Sequence, residues 1–513
     1  MKHNSIFLCL LLLTRVSWAE SIVFPPDAGV VDVTQAPYSA KGDGVTDDTA
    51  AIQRAFNDYA GRGIIYLPNG TYRVSDTLAW AGRCTRTILQ RQSEGGTIIR
   101  LADRAPGFGD PTKAKPVVYT GTFPPQRFRN AIRNLTIDTG KANAGAIGCR
   151  FNASNQGNMM HVTIRSGDGR GPIGLDMGYT SDVGPLFIKN LRVFGFDVGI
   201  YTAYGVAGQA MEHILVANQD ICGWVNDGQA VSVHGFISSN SVPALWNKDL
   251  GGHIVLLDAQ LSGAGAAAII NDASLYARNI QAAGYAQAIG GLRSAKGTNI
   301  DEFVSHPVES LFPSPTRALR LPVEETPEVP WDDPKEWVSV RRFEPKVVTV
   351  TKEKKGKPVT EKLTDWTEAI QQAIDSGATT VYFPRGGDYE VLGTVHIRGK
   401  VRRLMGMEGA LGRQGHGIFQ LDDGEAPLVL LERFDWIYSP ITVRTTSKRT
   451  LVVSAVAGGK FEIGTGGKAF FEDVVNLIRL GKDAQVWIRQ FNVSGSRDTG
   501  GKVAGGSFGI TPG

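Results

Sequence analysis

A pattern of residues near the start of the chain returns in its second half, and this duplication constrains the fold most strongly. Thr49–Phe56 (TAAIQRAF) matches Thr367–Ile374 (TEAIQQAI). An apolar strand sequence follows each copy, Ile65–Pro68 (IYLP) in the first and Val381–Pro384 (VYFP) in the second, and a Tyr-x-Val block follows both. Three matching blocks in one order, about 317 residues apart, indicate two domains that begin in the same way.

Each copy of the pattern predicts a short helix before the strand. In the first copy Ile52, Ala55, Phe56 and Tyr59 lie on one face at helical spacing. Asp47, directly upstream, provides a carboxylate near the helix N-terminus, where it is stabilising. An amphipathic helix at the start of a domain is suited to cover an exposed apolar cross-section.

A second repeat, with a shorter period, indicates what that cross-section is. A polar residue followed by alternating apolar positions recurs at steps of 27, 29, 23 and 21 residues, and a further copy begins at Asn279. Such a period is typical of the coils of a β-solenoid, whereas the turns of a β-sandwich come about every 8 to 12 residues. The polar residues at the predicted coil corners are Asn134, His161, Asn190, His213 and His234.

Composition places the boundaries between the predicted parts of the chain. Residues 1–19 read as a secretory signal peptide, with a basic start, an apolar run and a cleavage site near Ala19. Residues 20–305 form the first predicted domain, and residues 306–363, rich in proline and charge, form a linker. Residues 364–513 form a second, shorter domain that ends in a glycine-rich stretch without an evident cap. We expect a secreted or periplasmic protein.

Charge and hydropathy exclude some classes of partner. The formal net charge of +4 on 513 residues is too weak to imply a nucleic-acid partner, and no later segment is apolar enough to span a membrane. Widely separated cysteines and scattered aspartates do not form a recognisable metal pattern. The sequence predicts no metal and no cofactor, and it leaves the oligomeric state open.

Two segments carry a resemblance to known proteins. Tyr38–Ala55 (YSAKGDGVTDDTAAIQRA), followed by Tyr66–Tyr72 (YLPNGTY), resembles the N-terminal signature of the pectate-lyase-3 family. The presence of two such signatures is similar to glycoside hydrolase family 55, whose members act on β-1,3-glucan between two adjacent β-helices. The resemblance implies an all-β fold with two right-handed parallel β-helices, each with a short N-terminal capping helix. It also implies a polysaccharide substrate, which a fold alone does not establish.

The same resemblance directs the search for catalytic residues. It implies a glutamate general acid in the second β-helix, which must stay protonated until it donates to the leaving oxygen. Glu472, with Asp473 beside it, is the preferred candidate because the pair follows two aromatic residues in a predicted strand. The Glu-His pair expected late in the second domain is absent there, and the only one in the chain is Glu212-His213. Glu212 is therefore the third catalytic candidate.

Aromatic and basic residues provide the candidates for substrate binding. Trp224, Trp246 and Trp436 are predicted to stack on sugar rings, and Arg444 is predicted to neutralise a uronate. The leading hypothesis is a secreted glycoside hydrolase acting on β-glucan in the groove between two β-helices. The alternatives are a pectate-lyase-like or polygalacturonase-like enzyme on uronic-acid polymers, and a non-catalytic glycan-binding or cell-surface structural protein.

Overall fold

A computed structural model describes residues 22–491, except 62, 81–85, 122–126, 182–183, 206, 314–319 and 355–356. The predicted signal peptide and the glycine-rich C-terminal stretch lie outside the described residues. Nearly all regular structure is β, and the strands stack in parallel coils, which confirms the predicted right-handed parallel β-helices. Of the described helices, neither α-helix is long and apolar enough to cross a membrane. Short 3-10 turns occupy Pro26–Ala28, Pro111–Lys113, Pro334–Glu336 and Val340–Arg342.

The first β-helix is one sheet of 21 strands wound around a continuous apolar core. Its last strand runs antiparallel to the one before it and closes the winding. In chain order the elements are β1 (Val30–Asp32), β2 (Asp43–Asp47), α1 (Thr49–Asp58), β3 (Gly63–Leu67), β4 (Gly70–Val74), β5 (Leu78–Ala79), β6 (Thr87–Arg91), β7 (Thr97–Leu101), β8 (Lys115–Tyr119), β9 (Ala131–Asp138), β10 (Ala146–Arg150), β11 (Gly157–Arg165), β12 (Ile173–Asp176), β13 (Leu186–Phe194), β14 (Val198–Ala203), β15 (Gln209–Ala217), β16 (Cys222–Asp227), β17 (Ala230–Asn240), β18 (Leu245–Asn247), β19 (His253–Asn271), β20 (Ser274–Gly290) and β21 (Asn299–Val304).

The second β-helix repeats this plan in a 10-stranded sheet with its own core. A two-stranded hairpin, β23 and β24, precedes its helix and belongs to neither large sheet. The elements are β22 (Val338–Ser339), β23 (Lys346–Lys354), β24 (Lys357–Asp365), α2 (Thr367–Asp375), β25 (Thr380–Tyr382), β26 (Thr394–Gly399), β27 (Arg403–Leu411), β28 (Ile418–Gly424), β29 (Leu428–Thr445), β30 (Thr450–Ser454), β31 (Ala457–Ile463), β32 (Lys468–Leu480) and β33 (Gln485–Phe491).

The predicted corner residues lie where the coils turn. Asn134, His161, Asn190 and His213 all have positive φ, between 55° and 60°. This left-handed conformation is disfavoured for most side chains and is populated most often by glycine and asparagine. Successive corners also contact one another, since the Asn190 side-chain amide lies 3.1 Å from Nδ1 of His161. The repeat seen in the sequence therefore reports a real backbone requirement.

One predicted corner is wrong by a single residue. The strand register pairs His234 with Glu212, so Gly235 is the residue that follows His213 along the stack of corners. Gly235 has φ +77°, and the next corners are Asp258 and Asn279, with φ of 59° and 56°. His234 therefore projects from the strand face just before the corner.

Each capping helix closes the first coil with a glutamine as well as with its apolar face. Gln53 of α1 donates to the carbonyl of Ala79 at 2.8 Å and accepts from its N–H at 2.9 Å. Gln371 of α2 makes the same pair of bonds with His396, at 3.2 and 2.7 Å. The glutamine shared by the two repeats thus satisfies the backbone at the edge of a strand, which would otherwise remain open.

The segment predicted as a linker contributes to the second sheet. Val338–Ser339 pairs in parallel with Val381–Tyr382, as β1 pairs with β3 in the first β-helix. Trp337 is buried and Trp331 is half-buried in an apolar cluster that includes residues of both β-helices, so these two tryptophans anchor the segment. We call residues 320–331 the connecting segment.

Candidate active site between the two β-helices

The two β-helices face each other through the outer surfaces of parallel strands. In β13 the side chains of Leu186 and Ile188 point into the first core, so Lys189 projects outward. Strands β13 and β15 contact β32 and β33 of the second β-helix. The residue just before each coil corner therefore lies on the facing surface, and this position carries the charged groups of the site.

Four buried charged residues alternate across this surface. Nζ of Lys189 lies 2.9 Å from Oε1 of Glu472 and 3.9 Å from Oε2 of Glu212. Nε of Arg489 lies 2.7 Å from Oε1 of Glu212, and the strand register pairs Arg489 with Glu472. Each carboxylate thus has a cation from the opposite β-helix, which is what burial of charge requires.

These neighbours change the ionisation of the two groups in the middle. Burial alone would raise the pKa of Glu212, but His234, Arg489 and Lys189 lower that pKa to about 2. Burial alone would lower the pKa of Lys189, but Glu472 and Glu212 raise it above its usual value. Both groups therefore remain charged at neutral pH.

Asp473, next to Glu472, differs from Glu212 and Lys189 because the effect of burial, which disfavours its charged form, outweighs that of its neighbours. It occupies a coil corner with φ 54° and is 2% exposed. Burial raises the pKa of Asp473 to about 7, although Asn158 and two arginines oppose the shift. Nδ2 of Asn158 donates to Oδ2 at 2.9 Å, and Oδ1 has no hydrogen-bond partner in the described part of the chain. A large fraction of Asp473 is therefore protonated at neutral pH.

A cavity of about 580 Å³ lies beside this charged row. The connecting segment forms one wall and the two β-helices form the others. The polar lining includes Glu472 and Lys189 from the row, together with Arg133, Arg403 and Glu432. Arg403 pairs with Glu432 at 2.6 Å and also donates to the carbonyl of Pro330 at 3.1 Å, which fixes the segment to the second β-helix.

Arg133 differs from Lys189 and Arg403, the other two cations named above, because it has no carboxylate partner in the described part of the chain. Its Nε donates to Oδ1 of Asn158 at 2.8 Å, and no ion pair joins it to a carboxylate of the described residues. Burial lowers the pKa of Arg133 to about 10, so it is still a cation at neutral pH. The side chain is half-buried and borders the cavity. It is therefore available to an anion that enters the cavity.

A second cavity, of about 860 Å³, lies further along the same groove. Glu212, His234 and Arg489 line it, together with Trp487 and residues 321–323 of the connecting segment. Nε1 of Trp487 donates to the carbonyl of Pro322 at 3.2 Å. The connecting segment thus borders both cavities.

Apolar and ionic contacts near the start of the groove hold the two β-helices together. Nη2 of Arg129 lies 2.8 Å from Oε2 of Glu408, and Nε of Arg433 lies 3.1 Å from Oε1 of the same carboxylate. Burial alone would raise the pKa of Glu408, but Arg129 and Arg433 lower it. Arg433 also donates to Gln90 at 3.0 Å. This cluster of charges is almost fully buried between the β-helices.

The structure places Glu472 and Glu212 beside the cavities and Asp473 between the β-helices but outside both cavities, and it disperses the predicted sugar-binding residues. The prediction that Trp224 stacks on a sugar is wrong. Its side chain is fully buried in the first core, where its indole donates to Thr202, so it cannot contact a sugar. Trp246 and Trp436 are half-buried and border neither cavity. Arg444 likewise lies outside both cavities and pairs with Glu462 at 2.9 Å.

The prediction from sequence omits the cations that define the site. Lys189, Arg133 and Arg489 were not among its candidates, yet each immediately precedes a coil corner, as Glu212 and Glu472 do. The signal was present in the sequence, because the corners at Asn134, Asn190 and His213 had been identified.

Comparison with known proteins agrees with this architecture. Residues 31–243 match the family described as rhamnogalacturonase A/epimerase, pectate lyase-like. Curated proteins similar to this chain include the mannuronan C5-epimerase AlgE6 of Azotobacter vinelandii, 34% identical over 119 residues, which are 22% of this chain and 13% of the relative. Alginate lyase 7 of the same organism is 60% identical over 40 residues, 7% of this chain and 5% of the relative.

The chain therefore spans only a small part of the length of these curated relatives. Among solved structures, the A-module of the same Azotobacter vinelandii epimerase AlgE6 is similar over 91% of this chain and 100% of its own. That similarity has 14% sequence identity and a TM-score of 0.34.

Proposed function

We propose that the chain is an enzyme that acts on a polysaccharide whose sugars carry carboxylates, and that it binds this polymer in the cavity between the β-helices. The names of the matched relatives support a uronate polymer, since mannuronan and alginate are built from such sugars. The observation that carries the proposal is Arg133, a cation that borders the cavity without a carboxylate partner of its own. A substrate carboxylate would supply that partner through charge-assisted hydrogen bonds.

The other groups of the cavity suit chemistry next to a sugar carboxylate. Removal of the ring proton adjacent to a carboxylate needs a cation to neutralise the carboxylate and a base to accept the proton. Arg133 would provide the cation. Glu472 would provide the base, since its carboxyl group borders the cavity and accepts a hydrogen bond from Nζ of Lys189 at 2.9 Å. Return of a proton to the opposite face gives an epimer, whereas loss of the neighbouring glycosidic oxygen gives an unsaturated product.

Hydrolysis of a neutral β-glucan is the second candidate, and one observation favours it. An acid that donates to a leaving oxygen must be protonated near neutral pH, and burial raises the pKa of Asp473 to about 7. Asp473 does not border either cavity, whereas Glu472 does. Hydrolysis through Asp473 would therefore require a shift of its side chain toward the groove.

One set of assays separates these candidates. The full chain is incubated with polymannuronate, alginate, pectate and β-1,3-glucan. Ultraviolet absorbance reports unsaturated products, reducing ends report hydrolysis, and proton NMR in heavy water reports exchange of the ring proton. We expect exchange or unsaturation with a uronate polymer. Reducing ends from glucan alone would support the second candidate, and binding without any product would support a non-catalytic protein.

Substitution of Arg133 tests the role of the cavity directly. We expect Arg133→Ala to lower kcat/KM on a uronate polymer roughly 10- to 100-fold, since a hydrogen bond to a charged group contributes about 1.5–3 kcal/mol. Arg278→Ala is the matched control, because the register of successive coils places Arg278 in the same row outside both cavities. Equal effects of the two substitutions would contradict the proposal.

A further inference from the structure

Two histidines and a glutamate lie close together at the edge of the groove. All three are distant from Arg133 in the sequence. His213 and His234 come from adjacent coils, and their ring centroids lie 5.6 Å apart. Gly235 leaves room for this arrangement, because a Cβ there would lie 2.9 Å from Nδ1 of His213. The winding of the β-helix thus brings together two imidazoles that are 21 residues apart.

The connecting segment supplies the third group. Oε2 of Glu325 lies 3.0 Å from Nε2 of His213, and Oε1 lies 3.9 Å from Nδ1 of His234. One ligand atom from each of the three residues lies within 4.8 Å of the others. Two atoms that bind one ion at the zinc bond lengths of about 2.0–2.2 Å lie at most about 4.4 Å apart, so binding would draw the three groups slightly closer together.

His234 is oriented as a metal ligand usually is. Its Nε2 lies 3.1 Å from Oδ2 of Asp258, and its Nδ1 is buried without a hydrogen-bond partner in the described chain. A histidine that binds a metal through one nitrogen commonly donates the other to a carboxylate, which fixes the ring and the tautomer. Glu212, 3.8 Å from the same Nδ1, adds negative charge beside the cluster.

We propose that His213, His234 and Glu325 form a binding site for a divalent transition-metal ion, with zinc as the preferred ion. Imidazole and carboxylate ligands favour zinc and its neighbours in the first row, whereas calcium and magnesium favour oxygen ligands alone. The ion would join the connecting segment to the first β-helix, because Glu325 belongs to the segment and both histidines belong to the coils. No metal was predicted from the spacing of cysteines and aspartates, and these three ligands are too far apart in the sequence to form a recognisable pattern.

Zinc binding to the untagged full chain, after removal of metals with a chelator, tests the proposal. We expect isothermal titration with zinc chloride to show one ion per chain and thermal unfolding to shift to a higher temperature. His213→Ala and His234→Ala should each weaken zinc binding by about 100-fold or more. Loss of a group that only supports a ligand already weakens binding by about 10- to 100-fold, and these histidines are the proposed ligands themselves. Cobalt(II) as a second probe should give visible absorption bands that are lost in both variants.

Two further variants keep the test decisive. Glu325→Gln changes an exposed side chain on the segment, so it should weaken zinc binding without unfolding a coil. His161→Ala is the control, since His161 is also a corner histidine facing a glutamate of the segment, Glu328 at 3.7 Å, but has no second histidine nearby. Absence of stoichiometric zinc, or zinc binding that survives the loss of both His213 and His234, would overturn the proposal.

Discussion

At the scale of single residues, the role proposed for Glu472 depends on its contact with Lys189. The family resemblance implied a general acid at this position, whereas in the structure the carboxyl group of Glu472 accepts a hydrogen bond from Nζ of Lys189 at 2.9 Å. We expect Glu472→Gln to lower turnover on the substrate by about 10²–10⁴-fold, the usual contribution of acid–base catalysis, with little change in affinity. Steady-state kinetics that separate kcat from KM provide the measurement.

The control for this variant lies on another face of the same β-helix. Glu462→Gln also removes a strand carboxylate that pairs with a cation, Arg444, but outside the groove. Turnover should be unchanged in this variant. Glu472 would be removed from the mechanism if both variants kept full turnover, or if both lost it together with their thermal stability.

The raised pKa of Asp473 predicts that the free energy of unfolding depends on pH. Its pKa rises from about 3.9 in the unfolded chain to about 7 in the folded one, so the folded state binds the extra proton. Burial of Asp473 therefore does not reduce the free energy of unfolding below about pH 4. The reduction grows as pH rises and is complete above about pH 7. The full cost is at most about 4 kcal/mol, since one pKa unit corresponds to about 1.4 kcal/mol.

Asp473→Asn should remove this dependence. Asparagine keeps the shape and tolerates the positive φ of 54° at this corner. Urea unfolding should show the variant to be more stable than the parent at pH 8 and nearly equal to it at pH 4. Asp483→Asn, at an exposed aspartate that also has positive φ, provides the control. A parallel loss of stability with pH in the parent and in Asp473→Asn would contradict the assignment.

At the scale of elements, each capping helix is joined to the edge of a strand by the side-chain amide of one glutamine. Gln53→Ala removes both bonds to Ala79, and we expect a loss of about 1–3 kcal/mol in the free energy of unfolding, from two hydrogen bonds of ordinary strength. Gln35→Ala, at an exposed glutamine whose side-chain amide donates to the hydroxyl of Thr34, should have little effect. Equal losses in denaturant unfolding would mean that the amide of Gln53 does not hold the strand edge.

The sequence predicted these elements well because their requirements are local. The apolar spacing of Ile52, Ala55 and Phe56 sets the buried face of α1, and positive φ at Asn134 and Asn190 favours asparagine directly. The contents of the groove are not local. Lys189 meets Glu472 across 283 positions, and no pattern in either strand identifies the partner. Trp224 was misassigned for the same reason, because its spacing does not distinguish a sugar platform from the core.

At the scale of the whole molecule, the two β-helices are coupled by buried charge. Glu408→Gln would leave Arg129 and Arg433 without their shared carboxylate, and loss of one partner from a buried ionic cluster costs about 3–5 kcal/mol. We expect the free energy of unfolding to fall by that amount and the two β-helices to unfold at separate temperatures in calorimetry. The exposed pair of Lys346 and Glu368 provides the control, since Glu368→Gln should cost less than about 1 kcal/mol. Unchanged cooperativity in Glu408→Gln would show that other contacts couple the β-helices.

The position of the connecting segment has a topological consequence for any long polymer. Residues 321–331 are joined through the backbone to both β-helices and border both cavities. A sugar chain bound along the groove as proposed would therefore contact one continuous wall that is covalently fixed at both ends and extends from one cavity to the other.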